Sequence, residues 1–474
     1  MQYRVEQDSL GKRKVPADAY YGVQTVRAME NFQVTGIPVS HYSKHIQALA
    51  CIKKAAALVN MELGVLDPAI GQAIMEACRE VRSGRLDEQF TVDVIQGGAG
   101  TSVNMNANEV IANRGLEILG HAKGEYDFCH PNNHVNLSQS TNDVYPTSLR
   151  LTGIWTGQDL VRELRSVQAA FQAKGEEFGD VIKMGRTQLQ DAVPMTLGQE
   201  FVAYGVTIGE DIQRLREVSR LLHEINMGGT AIGTGINTRP EYAQMVCDRL
   251  ADITGLPLVK SPDLVEAGSD TGVFVQLSGV LKRIAVKLSK ICNDLRLLSS
   301  GPFAGLNEIN LPPMQPGSSI MPGKVNPVIP EMVNQVCFQV IGNDMTVTMG
   351  AEAGQLELNV FEPIIAFNIF QSMDMLTRAA AIFRDKCLTG ITANRDRCVE
   401  LVRCSAGIVT ILVPYLGYDE ASSIAKEAQC SGRSVYDLVL KKGLMTADQL
   451  NDILDPGKMT CPRMVQGEDT CGLK

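Results

Sequence analysis

The chain has 474 residues, 45% of them hydrophobic, which is enough for two or three domains with a sizeable buried core. Its formal net charge of -9 argues against nucleic acid or an anionic membrane as a partner. No apolar run reaches the roughly 18 residues of a membrane span, and the N-terminus lacks a signal-peptide layout, so we expect a soluble, cytoplasmic protein.

The twelve cysteines and six histidines show no metal-binding pattern. Neither CxxC nor HExxH occurs, which argues against zinc ribbons, thioredoxin chemistry and zinc-protease sites. Most cysteines stand singly in apolar, helix-like segments, as small core residues do. Cys461 and Cys471 lie in a tail, where we expect surface thiols. The sequence therefore predicts no metal site.

Short helical patterns separated by Pro and Gly fill the first part of the chain, and we assign residues 1–140 to an N-terminal helical domain. Longer patterns follow. Apolar residues three or four positions apart predict a helix that includes Leu160 to Phe171. A similar seam from Val273 to Leu298 lasts about seven turns and predicts a long bundle helix. Further helices are predicted over about 190–226, 330–350 and 356–386.

The helix predicted over 273–298 is apolar on more than one side, since Phe274, Val275 and Leu281 lie off its main seam. Such a helix must be covered on several sides. This favours a homo-oligomer in which bundles pack on bundles, and a large monomer with one deep core is the alternative. We assign residues 141–392 to a central helix-bundle domain.

Past about residue 390 the segments become shorter. The stretch SGRSVYDLVLKKGLMTADQLNDIL predicts two short helices, the second N-capped by Thr446. We therefore assign residues 393–474 to a small C-terminal helical domain. The predicted fold class is all-α with three domains.

Four polar clusters interrupt the helical patterns: QGGAGTS (96–102), QSTND (139–143), GRTQLQD (185–191) and GSSIMPGKVNP (317–327). The last is not a phosphate loop, because its two glycines enclose five residues instead of four and Val325 follows the lysine where a hydroxyl residue belongs. The first fails as a dinucleotide motif, because Val103 stands where the third glycine is required.

The four clusters share hydroxyl and amide side chains, and the last adds Lys324. Any one of these side chains is explained by a turn or a helix cap. Together they form a donor set suited to a small dicarboxylate, with a cation for one end and neutral donors for the other. Spacing along the chain leaves open whether the clusters meet in space.

At these residues the chain resembles the fumarase/aspartase superfamily. The superfamily signature is matched by GSSIMPGKVN (317–326), with Glu331 following. Two further family regions are matched by TSVNMN (101–106) and QSTND (139–143). The likeness extends from Ala19 to about residue 450, so it covers nearly the whole chain.

Within the superfamily the resemblance is to the aspartase branch. Gln188 stands where fumarases carry a histidine, and Thr141 stands where they carry a second serine. The segment Pro-Val-Ile-Pro-Glu331 after Asn326 is also that of aspartases. Two alternatives stay open. One is a fumarase, which differs in the leaving group, and the other is a catalytically silent helical scaffold.

The resemblance implies an all-α, three-domain subunit and a homotetramer with a twenty-helix core, in which each active site is shared by three subunits. It implies reversible deamination of L-aspartate to fumarate and ammonia, with Ser318 as the base that takes a Cβ proton through an enediolate-like intermediate. The implied reaction requires no cofactor, and a divalent cation is an optional activator. The substrate-binding residues it implies are Thr101, Ser140, Thr141 and Ser319 for the β-carboxylate, Lys324, Asn326 and Thr187 for the α-carboxylate, and Asn142 and Gln188 for the amino group.

Three further features qualify this expectation. The Gly- and Pro-rich segment 317–327 is expected to be a mobile lid that brings Ser318 to the substrate. Phe303 stands where the family usually has a basic residue, which removes a charge and is expected to affect subunit packing or loop support without touching the substrate donors. HPNN (130–133) resembles a secondary dicarboxylate site of fumarases, for which helix capping is the simpler explanation.

Overall fold

The computed structural model describes residues 2–460, and the tail cysteines Cys461 and Cys471 lie outside them. Most of the described residues are helical, which confirms the all-α fold class. The α-helices are α1 (Val23–Asn31), α2 (Ser43–Glu62), α3 (Pro68–Arg82), α4 (Thr101–Ile118), α5 (Thr141–Glu177), α6 (Leu197–Leu221), α7 (Tyr242–Thr254), α8 (Glu266–Ser269), α9 (Gly272–Leu298), α10 (Val328–Glu352), α11 (Glu362–Lys386), α12 (Arg395–Cys404), α13 (Val413–Leu416), α14 (Tyr418–Ser431), α15 (Val435–Lys441), α16 (Ala447–Ile453) and α17 (Pro456–Met459).

Short strands, which the sequence analysis did not predict, accompany the helices in two-stranded pairs. Of the four pairs among the described residues, three are antiparallel and one, the third in chain order, is parallel. The pairs are β1 (Tyr3–Asp8) with β2 (Gly11–Pro16), β3 (Ile182–Thr187) with β4 (Gln190–Thr196), β5 (Glu224–Ile225) with β6 (Val259–Lys260), and β7 (Ile309–Asn310) with β8 (Thr392–Ala393).

The long helices were predicted more accurately in their interiors than at their starts. The prediction of 273–298 is confirmed by α9, but that of 190–226 is wrong over its first seven residues, which form β4. Thr196 and Gln199 cap each other's backbone N–H groups at 3.0 and 2.9 Å, so this capping box fixes the start of α6 at Leu197. The prediction of 356–386 is likewise wrong before Glu362, because the side chain of Asn359 holds a turn there.

The chain divides into two compact units, and the boundaries between them fall inside the five long helices α5, α6, α9, α10 and α11. The three-domain division at 1–140, 141–392 and 393–474 stays a prediction. The first unit contains residues up to Arg162, Asp211–Ala285 and Val336–Thr377. The second contains Glu163–Glu210, Val286–Gln335 and the described residues from Arg378.

In the first unit, polar contacts join the long helices to one another. Ser278 of α9 donates to Asp344 of α10 at 2.9 Å, and Asn343 of α10 donates to Ser372 of α11 at 3.0 Å. The helices α2, α3 and α4 bury a second group of apolar residues, with Ile46 and Leu49 fully enclosed. This unit carries the N-termini of α4 and α5.

In the second unit, aromatic rings fill the space between the long helices. Phe171 of α5 lies 5.6 Å from Tyr204 of α6 and 6.1 Å from Phe383 of α11, measured between ring centroids. The C-terminal helices enclose a core that includes Leu412 and Leu450. The predicted pair of short helices is confirmed by α15 and α16, and Thr446 caps α16 in a capping box.

Within residues 2–460, no single helix is long and apolar enough to cross a membrane. One bent pair of helices, Arg395–Cys404 and Ala406–Leu416, passes the same test of length and composition when its two members are counted together.

Candidate active site

The first polar cluster forms the turn that starts α4. Gly100 has a φ of 90°, and a Cβ there would lie 2.4 Å from the Tyr145 ring, so only glycine fits. Thr101 follows as the first helical residue, is exposed, and donates through Oγ1 to the Gly98 carbonyl at 2.7 Å. The Thr101 hydroxyl thus lies at an exposed helix end, while the backbone N–H groups of Thr101 and Val103 donate to the Gly98 carbonyl at 2.9 Å and to Gln96 Oε1 at 3.1 Å.

The second cluster forms the start of α5 and is tied down from several directions. The Asp143 carboxylate accepts from the backbone N–H groups of Ser140 at 3.0 Å, Gly228 at 3.2 Å and Thr230 at 3.0 Å. Burial raises the pKa of Asp143 to about 6, and these donors oppose the shift. The Asn142 side chain, which we predicted to contact the amino group of the substrate, donates from its amide nitrogen to the Ala231 carbonyl at 2.7 Å. This bond uses one of its two amide hydrogens.

These two clusters meet in the first unit. The Asn104 amide donates from Nδ2 to Thr141 Oγ1 at 3.0 Å. Thr141 is nearly buried, whereas Ser140 is half-buried and its Oγ accepts from the Asn142 N–H at 3.2 Å. The structure therefore places the predicted residues of α5 beside those of α4 and adds Asn104, which the sequence analysis had not selected as a site residue.

The third cluster, in the second unit, is the tip of the hairpin between β3 and β4. Gln188 and Leu189 have φ values of 54° and 62°, a left-handed pair that usually requires Asn or Gly. Thr187 and Gln188 are both exposed at this tip. Non-glycine residues held in this conformation store strain, which is common at functional sites.

A buried charge network holds the base of this hairpin. Glu308 is fully buried and contacts Arg186 at 2.9 Å and Lys183 at 3.2 Å, and Lys183 also contacts Glu200 at 2.6 Å. Buried charges persist only when they are paired, so each member depends on the others. The network joins Arg186, next to Thr187, to the segment just before β7.

The fourth cluster closes on itself in the second unit. The Gly317 N–H donates to the Lys324 carbonyl at 2.8 Å, and the Asn326 amide donates to the Gly317 carbonyl at 2.6 Å. A Cβ at Gly317 would lie 2.6 Å from the Lys324 carbonyl oxygen, so this closure requires glycine. Asn326 therefore braces the loop, and Ser319 and Lys324 are exposed on it.

Ser318 lies in this loop with two backbone donors on its hydroxyl oxygen. Ser318 Oγ accepts from the N–H groups of Ile320 at 3.2 Å and Met321 at 2.9 Å. The same pair of bonds is a common turn motif. Chemically, two N–H dipoles aimed at one oxygen stabilise negative charge on it. In the part of the second unit that the structure describes, no hydrogen bond joins this loop to Thr187 or Gln188.

Two other predicted features take ordinary positions. His130 Nδ1 accepts from the N–H groups of Asn132 at 3.0 Å and Asn133 at 3.2 Å, so the HPNN segment is capped as the simpler explanation held. Phe303 is 98% exposed. Among residues 2–460, no three His, Cys, Asp or Glu side chains are grouped so that they could hold a metal ion.

Comparison with known families gives two matches that together cover most of the chain. Residues 11–342 match the family described as "Lyase", and residues 408–461 match "Fumarase C C-terminus".

Several relatives described as aspartate ammonia-lyase match at nearly full length. The protein from Pseudomonas aeruginosa is 60% identical and that from Helicobacter pylori (strain 26695) is 55% identical, with 98% and 97% of this chain and 98% of each relative covered. The protein from Escherichia coli K12 is 53% identical, with 97% of this chain and 96% of the relative covered.

Two solved structures share the fold. A fumarate lyase:delta crystallin from Brucella melitensis, bound to cobalt, has a TM-score of 0.95 at 56% identity and covers 97% of this chain and all of its own. The class II fumarase from Schistosoma mansoni has a TM-score of 0.92 at 36% identity and covers 97% of this chain and 99% of its own.

Proposed function

This chain belongs to the fumarase/aspartase superfamily of lyases, and on that premise we infer that it catalyses the deamination of L-aspartate to fumarate and ammonia. The observation that carries this conclusion is identity of 53–60% over nearly the full length of relatives described as aspartate ammonia-lyase. The class II fumarase with the same fold is only 36% identical. Gln188, where fumarases carry a histidine, supports the same choice.

We propose Ser318 as the base. The proton beside a carboxylate is very weakly acidic, and so is a serine hydroxyl, so the site must stabilise both the alkoxide and the carbanion. Two backbone N–H groups already point at Ser318 Oγ, and Lys324 lies in the same loop. Closure of this loop over the substrate would remove water and strengthen those interactions.

The enediolate-like intermediate places extra charge on the β-carboxylate oxygens. Neutral hydroxyl donors suit that charge, because they stabilise it without repelling one another. In our proposal Thr101, Ser140, Thr141 and Ser319 supply these donors. The α-carboxylate is held by Lys324, Asn326 and Thr187, and the amino group by Asn142 and Gln188. Since an amide does not titrate, Gln188 orients the leaving group and does not protonate it.

We propose that the active assembly is a homotetramer whose sites are each shared by three subunits. In the first unit, α10 exposes an apolar stripe at helical spacing, formed by Phe338, Ile341, Met345 and Met349, which are 36–64% exposed. Such a stripe is unfavourable in water and fits a second copy of the chain. The five long helices of each chain would make the predicted twenty-helix core in a tetramer.

The remaining parts of the proposal follow from the sequence. The chemistry is complete with side chains and backbone dipoles, so no cofactor is required and a divalent cation is at most an activator. The acidic net charge argues against nucleic acid or membrane partners, and we propose that the enzyme acts in the cytoplasm.

The direct test is to follow fumarate by its ultraviolet absorbance after addition of L-aspartate or L-malate to the purified protein. Fumarate from L-aspartate alone is expected, whereas fumarate from L-malate alone would establish the fumarase alternative. Ser318→Ala should abolish turnover while gel filtration shows an unchanged assembly, and Ser431→Ala, on the exposed end of α14, is the matched control. An active Ser318→Ala variant would overturn the assignment of the base.

A further inference from the structure

A buried chain of polar side chains runs from Lys53 to Thr141 inside the first unit. Lys53 Nζ donates to Asn136 Oδ1 and to Gln139 Oε1, both at 2.9 Å. Asn136 Oδ1 also accepts from Asn104 Nδ2 at 3.2 Å, and the same Asn104 amide donates to Thr141 Oγ1 at 3.0 Å. Lys53 and Asn104 are almost fully buried, so water does not compete for these bonds.

The direction of every bond in this chain follows from its first member. Lys53 Nζ has hydrogens to donate in either protonation state, and Asn136 Nδ2 is already used by the Gln139 carbonyl, so the Asn136 atom that faces Lys53 is the carbonyl oxygen. The Asn104 atom that faces this oxygen must then be the amide nitrogen, and that nitrogen also faces Thr141. The amide nitrogen of Asn136 is consistent with this orientation, since Nδ2 points the other way and donates to the Gln139 backbone carbonyl at 3.2 Å.

The Asn104 amide keeps this orientation although it has an energetic cost. Asn104 Oδ1 is buried and has no hydrogen-bond partner among the described residues. An unsatisfied buried acceptor costs about 1–3 kcal/mol. The Asn104 amide therefore points its nitrogen at Asn136 and Thr141 even though its own oxygen remains unpaired.

We propose that Asn104 is a positioning residue that sets the hydrogen-bond direction of the Thr141 hydroxyl. This inference rests on the proposed function, in which Thr141 contacts the β-carboxylate. A hydroxyl can donate or accept, and it helps a carboxylate only when it donates. Because Asn104 occupies a lone pair of Thr141 Oγ1, the Thr141 hydrogen is left for the substrate. In the described residues that hydrogen has no other acceptor within hydrogen-bond distance.

Reversal of this direction gives the sharpest test. Asn104→Asp keeps the size of the side chain but replaces the amide donor with an acceptor, so Thr141 would donate inward and turn a lone pair towards the substrate. Loss of one hydrogen bond to a developing charge is expected to lower kcat/KM about 10- to 100-fold. The measurement is the steady-state rate of fumarate release from L-aspartate.

Asn108→Asp is the matched control. Asn108 lies one turn further along α4, is also fully buried, and donates to the same Asn136 Oδ1 at 3.1 Å, but it has no contact with Thr141. Both variants should lower the thermal midpoint to a similar extent, since both disturb the same oxygen. Only Asn104→Asp should lower kcat/KM strongly, with Asn108→Asp within about 3-fold of the wild type.

A double-mutant cycle separates positioning from general damage. Thr141→Val removes the hydroxyl, so Asn104→Asp should add almost no further loss in that background. If Asn104→Asp does not assemble, Asn104→Leu, which removes the donor without adding charge, enters the same cycle with the same expectation. Additive losses, or equal losses for the variants at 104 and 108, would overturn the inference. A wild-type protein without activity on L-aspartate would instead overturn the proposed function.

Discussion

Lys53 is a fully buried amine, and the network beside Thr141 includes its two hydrogen bonds. Burial lowers the pKa of Lys53 from 10.5 to about 7, and the negative charge of Asp143 opposes the shift. Between these two pH values the unfolded chain binds a proton that the folded chain has lost, so stability rises as the pH increases. The increase from pH 7 to pH 9 should be about 2–3 kcal/mol.

Lys53→Met should remove this pH dependence, because methionine fills a similar volume and does not titrate. We expect the thermal midpoint of the wild type to rise from pH 7 to pH 9 relative to that of Lys53→Met, as measured by calorimetry at matched protein concentration. Lys54→Met, on the next residue of α2, is the control for loss of a lysine elsewhere in the helix. Parallel profiles for the wild type and Lys53→Met would show that Lys53 keeps its ordinary pKa.

The sequence selected candidate reactive residues but not the residues that support them. Ser318 and Lys324 stand in one short segment, so a local pattern was sufficient to select them. Lys53, Asn104 and Asn136 are distant along the chain and meet only through tertiary packing, which no spacing reveals. The one local signal was a pair of lysines in the otherwise apolar segment ALACIKKAAALV, where a charge on the buried side requires a partner.

At the scale of elements, the hairpin β3–β4 depends on the buried carboxylate that joins it to the segment before β7. Glu308→Ala would leave Lys183 and Arg186 as buried charges without their shared partner. Breaking such a group typically costs about 3–5 kcal/mol. We expect a clearly lower thermal midpoint, and a higher KM for L-aspartate because Thr187, which we propose as a ligand of the α-carboxylate, is held less firmly.

An exposed ion pair supplies the control for this prediction. Glu217 contacts Arg214 at 2.6 Å, but both side chains are more than one-third exposed. Glu217→Ala should therefore change stability by less than about 1 kcal/mol. Differential scanning fluorimetry on both variants tests the contrast, and equal midpoints for Glu308→Ala and Glu217→Ala would contradict a stabilising role for the network.

The helices were predictable because their signals repeat over many turns, and the strands were not. The apolar seam of α9 extends over the whole helix, so one atypical residue does not hide it. The strand β4 has seven residues, includes Pro194, and exists only because β3 pairs with it. Its boundary with α6 could have been found from the Thr196-Leu-Gly-Gln199 capping box, which is a local signal.

At the scale of the whole molecule, periodicity indicated an oligomer without indicating its symmetry. The apolar stripe on α10 agrees with the prediction that long helices are covered on several sides. Which subunits share a site depends on the symmetry of the assembly, and that is a property of contacts between chains. The sharing of each site by three subunits therefore came from the family resemblance alone, and it needs its own test.

Subunit mixing provides that test. If both residues act as proposed, Ser318→Ala abolishes turnover at every site of a homotetramer, and Thr141→Val lowers it about 10- to 100-fold. When the two variants are co-expressed in equal amounts, a site that takes residue 141 and residue 318 from different subunits is intact with a probability of about one-quarter, so about one-quarter of the wild-type rate should return. If one chain supplied both residues, every site would keep a defect and the mixture would not exceed the rate of Thr141→Val alone. Co-expression of Thr141→Val with Thr141→Val/Ser318→Ala is the control, since no site in that mixture has a wild-type residue 141.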